Sequence, residues 1–351
     1  MQELSQGAFV STRDGHNRYM GRIDFADGEE PQFIWAGSQV TLRFRGTAVW
    51  ARLRNRPSWG RQYIGWVVDG GAKGMARLHP DSQMRTYALA DNLDDGEHEI
   101  TLYKRMDATG YVGFGGWHVL GEPLEALPAP ARRIECFGDS VSMGAVVDAP
   151  GYEGKTDPPN DGHYDDAWLS YISMAARELG AELHNNSQGG ISLLDGTGYF
   201  RGPDYLGLES CWDKTGYVPD LGLSSWDFSR WTPHVVVLAI AQNNPHPDND
   251  IAADPEKRSR WVRRYGQLLA DMRARYPRAL FVLTTTIVNH DLVWEDALDE
   301  VCATSADARV VRLRYKRAAV GTPGHPRAAE QGEMARELVD LLNSYGEELW
   351  Q

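Results

Sequence analysis

Two hydrophobic rhythms divide the chain. In SQVTLRFRGTAVWARLRN (38–55), Val40, Leu42 and Phe44 alternate with Thr41, Arg43 and Arg45. Period two marks a strand with one buried face. RQYIGWVVDGGAKG (61–74) reads as a strand running into a glycine-rich turn. DDGEHEITLYKRM (94–106) opens on the turn signal Asp95-Gly96, and Ile100 and Leu102 then alternate with Glu99 and Thr101. GYVGFGGWHVLGE (110–122) is a further strand. Short strands between turns, with no helical rhythm before residue 120, predict a β-sandwich. GEPLEALPAPARR (121–133) is proline-rich, cannot continue a ladder, and reads as the linker between two domains.

After the linker the rhythm changes. RIECFG (133–138) is a strand, and AELHNN (181–186) a short one. HVVVLAI (234–240) is continuously apolar, as in a parallel strand buried on both faces. ALFVLTTTIV (279–288) and ARVVRLRY (308–315) complete the set. DAWLSYISMAARELG (166–180) spaces Trp168, Ile172, Ala175 and Leu179 along one helical face, and Gly180 ends it. KRSRWVRRYGQLLADMRARYP (257–277) turns Trp261, Tyr265, Leu268, Leu269 and Met272 inward. A last helix is expected from Pro326, a first-turn position where the missing N–H costs nothing. Strands alternating with helices predict a three-layer α/β domain around a parallel sheet. Ligands of such sheets sit beyond the carboxyl ends of the strands.

With 351 residues, the chain is long enough for two domains. Its formal net charge of −13 disfavours nucleic acid and anionic membranes as partners. The three cysteines, Cys136, Cys211 and Cys302, are too few and too far apart for a disulfide framework or a zinc site. MQELSQGAFVSTRDG has neither a basic nor an apolar leader pattern, and no stretch reaches the length of a membrane span, so the expectation is a cytoplasmic protein. The 12 Trp and 15 Tyr suit a packed core, and equally suit a cleft that stacks on sugar rings.

Four short stretches at strand ends carry candidate chemistry. Gly138-Asp139-Ser140 closes the first strand of the second domain: the glycine permits a sharp turn, Asp139 can cap the next helix, and Ser140 then lies beside free backbone N–H groups. NNSQGGISLLDGTG (185–198) sets Gly189-Gly190 after the second strand, where an exposed N–H suits an oxyanion. LAIAQNNPHP (238–247) ends the central strand in Gln242-Asn243-Asn244, side-chain amides that can donate at the same place. GTPGHPRAAEQGEMA (321–335) mounts His325 in a loop stiffened by Pro323 and Pro326. Taken singly, each has a plainer reading as an ordinary turn.

In this order — GDS, glycine block, Asn block, late His — the chain resembles the SGNH (GDSL-type) hydrolases. Its β domain, through FIWAGSQVTLRFRGT and DDGEHEITLYKR, is similar to the N-terminal sandwich of carbohydrate esterase family 2. The resemblance implies a jelly-roll-like sandwich over 1–125 and an α/β/α SGNH hydrolase domain over 126–351. It implies removal of acetyl groups from sugars of plant polysaccharides such as xylan or mannan, with no metal and no organic cofactor. By matching motif, Ser140 becomes the nucleophile and His325 the base. Asn243, the Ser140 N–H and the N–H of Gly189 or Gly190 become the oxyanion donors. Two positions depart from the usual G-x-N-D and D-x-x-H blocks: Asn244 and Thr322 each stand where an Asp is usual. The expectation is a Ser–His dyad with a backbone carbonyl on His325 Nδ1. Asp291 and Glu330 are the alternative carboxylates.

The stretch 199–231 is too long for an ordinary loop and is expected to overhang the site. Tyr199, Trp212 and Tyr217 in it are candidate sugar platforms. Two other readings remain. One is a thioesterase or other short-chain acyl esterase of the same fold. The other is a catalytically weak carbohydrate-binding protein, which the departures at Asn244 and Thr322 favour and the retention of Ser140, Asn243 and His325 opposes. The sequence leaves the oligomeric state open.

Overall fold

The computed structural model describes residues 7–58, 60–218, 221–222 and 224–351. Residues 1–6 of the opening stretch and residues 219, 220 and 223 of the long 199–231 segment lie outside the described residues. The chain divides into two compact units. The first gathers residues up to Ala129 together with Asp161–His163 and Thr215–Ser224, and the second takes the remainder from Pro130 to Gln351. A single cut near residue 125 therefore misses two short segments that cluster with the N-terminal unit.

The first unit is antiparallel: β1 (Ala8–Val10), β2 (Asn17–Met20), β3 (Gln32–Phe33), β4 (Gln39–Pro57), β5 (Tyr63–Val68), β6 (Ala72–Arg77), β7 (Met84–Ala90), β8 (Gly96–Lys104) and β9 (Gly110–Leu124). β4 organises it. Its first residues pair with β2 and β8, its later ones with β7, and β9 runs alongside from Arg43 to Pro57. Register shifts at Gly46/Ala48 and Val49/Trp50 mark where the partners change, as bulges bend a long strand and re-aim its neighbours. The alternation read from the sequence is that of the core: Val40, Leu42 and Phe44 are fully buried with Ile64, Ile100, Leu102 and Phe114. The linker is shorter than expected. β9 continues to Leu124, with Pro123 opposite Phe44. Among the described residues β1 pairs with β9 over residues 117–119, so Pro123 lies outside that ladder, where a missing N–H is tolerated.

The second unit has five parallel strands, β10 (Arg132–Gly138), β11 (Ala181–Asn185), β14 (Val235–Ala239), β15 (Leu280–Thr284) and β16 (Val310–Leu313), in the order β11-β10-β14-β15-β16. A small ladder of β12 (Lys214–Gly216) with β13 (Ser224–Ser225) lies in the long segment. β14 and β15 are buried at every residue, as their unbroken apolar runs require. The helices are α1 (Ser140–Met143), α2 (Tyr171–Glu178), α3 (Leu208–Cys211), α4 (Pro255–Arg275), α5 (Val293–Thr304) and α6 (Ala328–Asn343). α2 packs with α6, and α4 with α5. α2 begins later than its apolar spacing suggested, because Ser170 caps it and leaves Trp168 in a preceding 3-10 turn. α5 is an unforeseen element, although Trp294, Ala297, Leu298 and Val301 keep helical spacing and are buried. The chain leaves β10 to form β11 on one side and returns to form β14 on the other. The crevice beyond β10 is thus the switch point at which open α/β sheets bind ligands. Among the described residues no helix is long and apolar enough to cross a membrane.

One buried charge in the first unit generates a prediction. Lys104, wholly buried, donates through Nζ to Met106 O at 3.1 Å and to Asp107 O. Burial pulls its amine down to about 7, against the opposing charge of Asp107. The unfolded chain therefore binds more protons than the native one between pH 7 and about 10.4, and stability gained from this site rises with pH across that window. Urea melts should show the wild type gaining stability relative to Lys104→Met from pH 7 to 10, with a constant difference below 7. A constant difference across both ranges would show that burial leaves this amine unshifted.

Candidate active site

Asp139 is the first residue beyond β10. It is fully buried, and its Oδ1 accepts the Val141 N–H at 3.0 Å, which starts α1 and fixes Ser140 as its first residue. Gly144, at φ 81°, ends the helix after one turn. Asp139 Oδ2 accepts from Asn243 Nδ2 at 3.1 Å and from Gln242 Nε2. Burial raises the Asp139 carboxyl to about 7, while the Val141 N–H and the charges of His325 and His290 act in the opposite direction. The same carboxylate thus sets the start of the serine turn and gathers two amides from the end of β14.

Asn243 sits four residues past Ala239, which pairs with Gly138 in the register of β14 on β10. Its Nδ2 has two hydrogens, and they point at Asp139 Oδ2 and at Ile191 O, both at 3.1 Å. The amide is oriented, and one hydrogen must leave Ile191 before it can serve an oxyanion. On the neighbouring strand, Gln188 N donates to Gly138 O at 3.0 Å and carries the glycine block alongside the serine turn. Gly190 lies at φ 74°, a conformation that glycine adopts without strain. Its carbonyl accepts from Tyr199 N at 2.7 Å and Phe200 N at 3.2 Å. The Gly189 carbonyl accepts from Gln188 Nε2 at 3.2 Å.

The largest departure from the sequence reading lies at His325. Its Nδ1 is 2.6 Å from Asp157 Oδ2, and its backbone N–H donates to Asp157 Oδ1 at 2.9 Å. A carboxylate, and not a backbone carbonyl, faces the ring, so the expected carbonyl partner of His325 Nδ1 is corrected to Asp157. The two alternative acids are occupied elsewhere. Asp291 accepts from Val293 N, and Glu330 from Arg327 N in a capping box. Thr322, standing where the motif acid is usual, is buried in a bridge to Val288. Asp157 reaches His325 because Gly324 has no side chain: a Cβ there would lie 2.6 Å from Asp157 Oδ1 and 2.7 Å from Lys155 O. Buried Arg327 completes the clamp, with Nη2 3.0 Å from Asp157 Oδ1 and Nη1 on the His325 carbonyl. Burial alone would raise the Asp157 carboxyl. The hydrogen bonds and charge of His325, with Arg327, outweigh it and hold the group at about 2. An ionised carboxylate on Nδ1 fixes the proton there and leaves Nε2 with its lone pair, the tautomer a general base needs.

Asn244 follows from its surroundings. It is wholly buried, accepts through Oδ1 from Leu193 N at 3.1 Å and Trp261 Nε1 at 2.8 Å, and donates through Nδ2 to Ala241 O at 2.8 Å. An aspartate could make the first two bonds and not the third.

The three candidate platforms separate. Tyr217 is 1% exposed and belongs to the first unit, stacked on Trp35 at 4.7 Å with its N–H on Tyr111 Oη, so it is a core residue with no face for a sugar. Trp212 packs on Phe228, which packs in turn on Tyr276 at the far end of α4. α4 runs from the carboxyl side of the sheet to its amino side, so Trp212 is carried away from Ser140. Tyr199 alone is open, 59% exposed, with His246 stacked beneath it at 4.0 Å and its Cβ against Gly190. Of the 199–231 segment, Tyr199 is thus set beside the glycine block. The sequence reading missed Asp157 and Arg327. Gly324 beside His325 was a local signal for the first, because a glycine before a functional His leaves room for a close neighbour.

Comparison with known proteins agrees with this architecture. Residues 19–130 match the family described as carbohydrate esterase 2 N-terminal. The chain is 28% identical over 345 residues to the cellulase/esterase CelE of Acetivibrio thermocellus, covering 93% of this chain and 39% of that protein. It is 24% identical over 351 residues to the acetylxylan esterase / glucomannan deacetylase of Cellvibrio japonicus, covering 97% of this chain and 91% of that one. A solved family two carbohydrate esterase from Clostridium thermocellum, in complex with cellohexaose, superposes with a TM-score of 0.80 at 25% identity, covering 95% of this chain and 100% of that one. The chain resembles the family 2 carbohydrate esterases in both of its units and spans 39% of the length of CelE.

The clamp on His325 has a measurable consequence. Asp157→Asn should lower kcat by about 10⁴ with KM little changed, since the amide no longer enforces the Nδ1–H tautomer. Steady-state kinetics on a soluble acetate ester would check this, and a loss below tenfold would mean that another group orients His325.

Proposed function

We propose that this carboxylic ester hydrolase, resembling carbohydrate esterase family 2, removes acetyl groups from O-acetylated plant-type oligosaccharides or polysaccharides. The observation that carries the reading is the 2.6 Å contact between His325 Nδ1 and Asp157, which supports Nε2 as the nitrogen that acts as the base. In this reading His325 Nε2 takes the Ser140 hydroxyl proton as Oγ attacks the acetyl carbonyl. The negative charge that develops on the carbonyl oxygen is met by the Ser140 N–H, by the glycine-block N–H and by Asn243 once it turns from Ile191. Collapse of the adduct expels the sugar oxygen, which takes the proton from His325. Water, activated by the same Nε2, then attacks the acetyl-enzyme and releases acetate.

The name of the Cellvibrio japonicus relative supports acetylated xylan and glucomannan as the substrate class, and the cellohexaose complex of the Clostridium thermocellum esterase supports a β-linked glycan as ligand. Tyr199 suits the sugar end of such a substrate: an open ring beside Gly190 covers the apolar face of a pyranose. The runner-up, a short-chain acyl esterase indifferent to the alcohol, differs in what it selects.

Acetate release from acetylated xylo- and manno-oligosaccharides, set against 4-nitrophenyl esters of rising chain length, separates the two. The expected result is preference for the acetylated sugars, loss of turnover in Ser140→Ala, and phosphonate labelling at Ser140. Labelling elsewhere with an active Ser140→Ala would overturn the assignment, and equal rates on butyryl esters would favour the runner-up. Tyr199→Ala should raise KM for acetylated oligosaccharides several-fold and leave kcat/KM on 4-nitrophenyl acetate nearly unchanged. Equal effects on both substrates would remove Tyr199 from the sugar site.

A further inference from the structure

Gln331 lies in the second turn of α6, six residues beyond His325, and is wholly buried. Its side-chain amide is shared between two other elements. Nε2 donates to Val141 O at 3.0 Å, and Oε1 accepts from Tyr171 N at 2.8 Å. Val141 follows Ser140 in α1, and Tyr171 opens α2. A helix of one turn leaves most of its own carbonyls and N–H groups without an intrahelical partner, and the first N–H of α2 is an orphan for the same reason. A primary amide supplies a donor and an acceptor side by side without charge: its oxygen partners Tyr171 N, and its N–H is a second donor to Val141 O, which also accepts from Gly144 N at 3.2 Å.

Two further bonds make the arrangement closed. Ala328 N, at the start of α6, donates to Val147 O at 3.1 Å. The Tyr171 hydroxyl lies 3.0 Å from Ser142 Oγ, on the turn that carries the nucleophile. The helix following the base is thus fastened to the turn beginning with the nucleophile, and Gln331 is the side chain that touches both that turn and its neighbour α2.

We propose that Gln331 is a positioning residue for the esterase reaction, fixing the placement of Ser140 relative to His325. This rests on the reading of those two residues as nucleophile and base. Misplacement of reacting groups by about 1 Å costs on the order of 10²-fold in rate. Gln331 touches no substrate, so its effect falls on kcat and leaves KM alone.

The test uses Gln331→Met and Gln331→Glu in the full chain, with kcat and KM on 4-nitrophenyl acetate expressed per folded molecule, well below the melting transition. Gln331→Met keeps the volume and loses both bonds, and its kcat should fall about 10- to 100-fold with KM within twofold. In Gln331→Glu the neutral carboxyl repeats the amide's pattern, donating to Val141 O and accepting from Tyr171 N. The ionised form sets negative charge against Val141 O. The ratio of its kcat to wild-type kcat, taken at matched pH, should be highest at mildly acid pH and fall as pH rises. If Gln331→Met does not fold, this ratio carries the test alone. Wild-type kcat in folded Gln331→Met, or a ratio flat with pH, would overturn the proposal. The underlying reading fails separately, by an active Ser140→Ala. An inactive Ser140→Ala beside an unimpaired Gln331→Met sinks only the positioning role.

Discussion

The buried carboxylate of Asp139 is the constraint from which the site is built. Removing a carboxylate from water is costly unless donors replace the lost hydration. Here they come from the serine turn and from the end of the neighbouring strand: the Val141 N–H, Gln242 Nε2 and Asn243 Nδ2. Because one group needs all three, the ends of β10 and β14 cannot move independently, and Ser140 and Asn243 are held in a common frame. The compensation is incomplete, since the carboxyl remains raised from 3.8 to about 7. The native state therefore binds this proton more tightly than the unfolded chain, and the site gives up stability as pH rises through that interval. Its organisation is held at some expense to the fold, as functional sites commonly are.

A second carboxylate works under the opposite balance. Asp157 is partly open, and the imidazole and backbone N–H of His325 and the buried Arg327 guanidinium converge on it. It stays ionised where Asp139 is poised, although both lie close to His325. Environment, and not residue type, separates them: one carboxylate is a structural hub for the turn that begins at Ser140, the other an electrostatic partner for His325.

This contrast explains what the sequence could and could not reveal. The strands were legible because their signals are local. Val40, Leu42 and Phe44 alternate because one face of β4 is buried, and Val235–Ala239 runs apolar because β14 is buried on both faces. The placements of Ser140 and Asn243 were legible because each follows a strand whose rhythm is plain, and that of His325 because it precedes a plainly helical stretch. Asp157 was not, because its contact spans 168 residues and depends on a loop with no period to read. The search for an acid three residues before His325 looked where chain connectivity is shortest, whereas the carboxylate is delivered through space and admitted by Gly324. Tyr217 and Trp212 failed for a related reason. An aromatic in a long segment carries no sign of which surface it will bury, and Trp35 and Phe228 decided that.

The two departures from the usual motif blocks then share one physical account. At Asn244 the surroundings offer two donors and a carbonyl, so a neutral amide satisfies all three and a buried carboxylate would leave Ala241 O facing like charge. At Thr322 the residue is buried in a bridge to Val288, and the imidazole already has its carboxylate from Asp157. Neither change leaves His325 without a carboxylate, because Asp157 arrives from a different part of the same unit. What the chemistry requires is an ionised oxygen within hydrogen-bond reach of Nδ1, and the fold is indifferent to which segment supplies it. Motif spacing records one solution to that requirement. Gly324, Asp157 and Arg327 are another, and they keep the same proton on the same nitrogen.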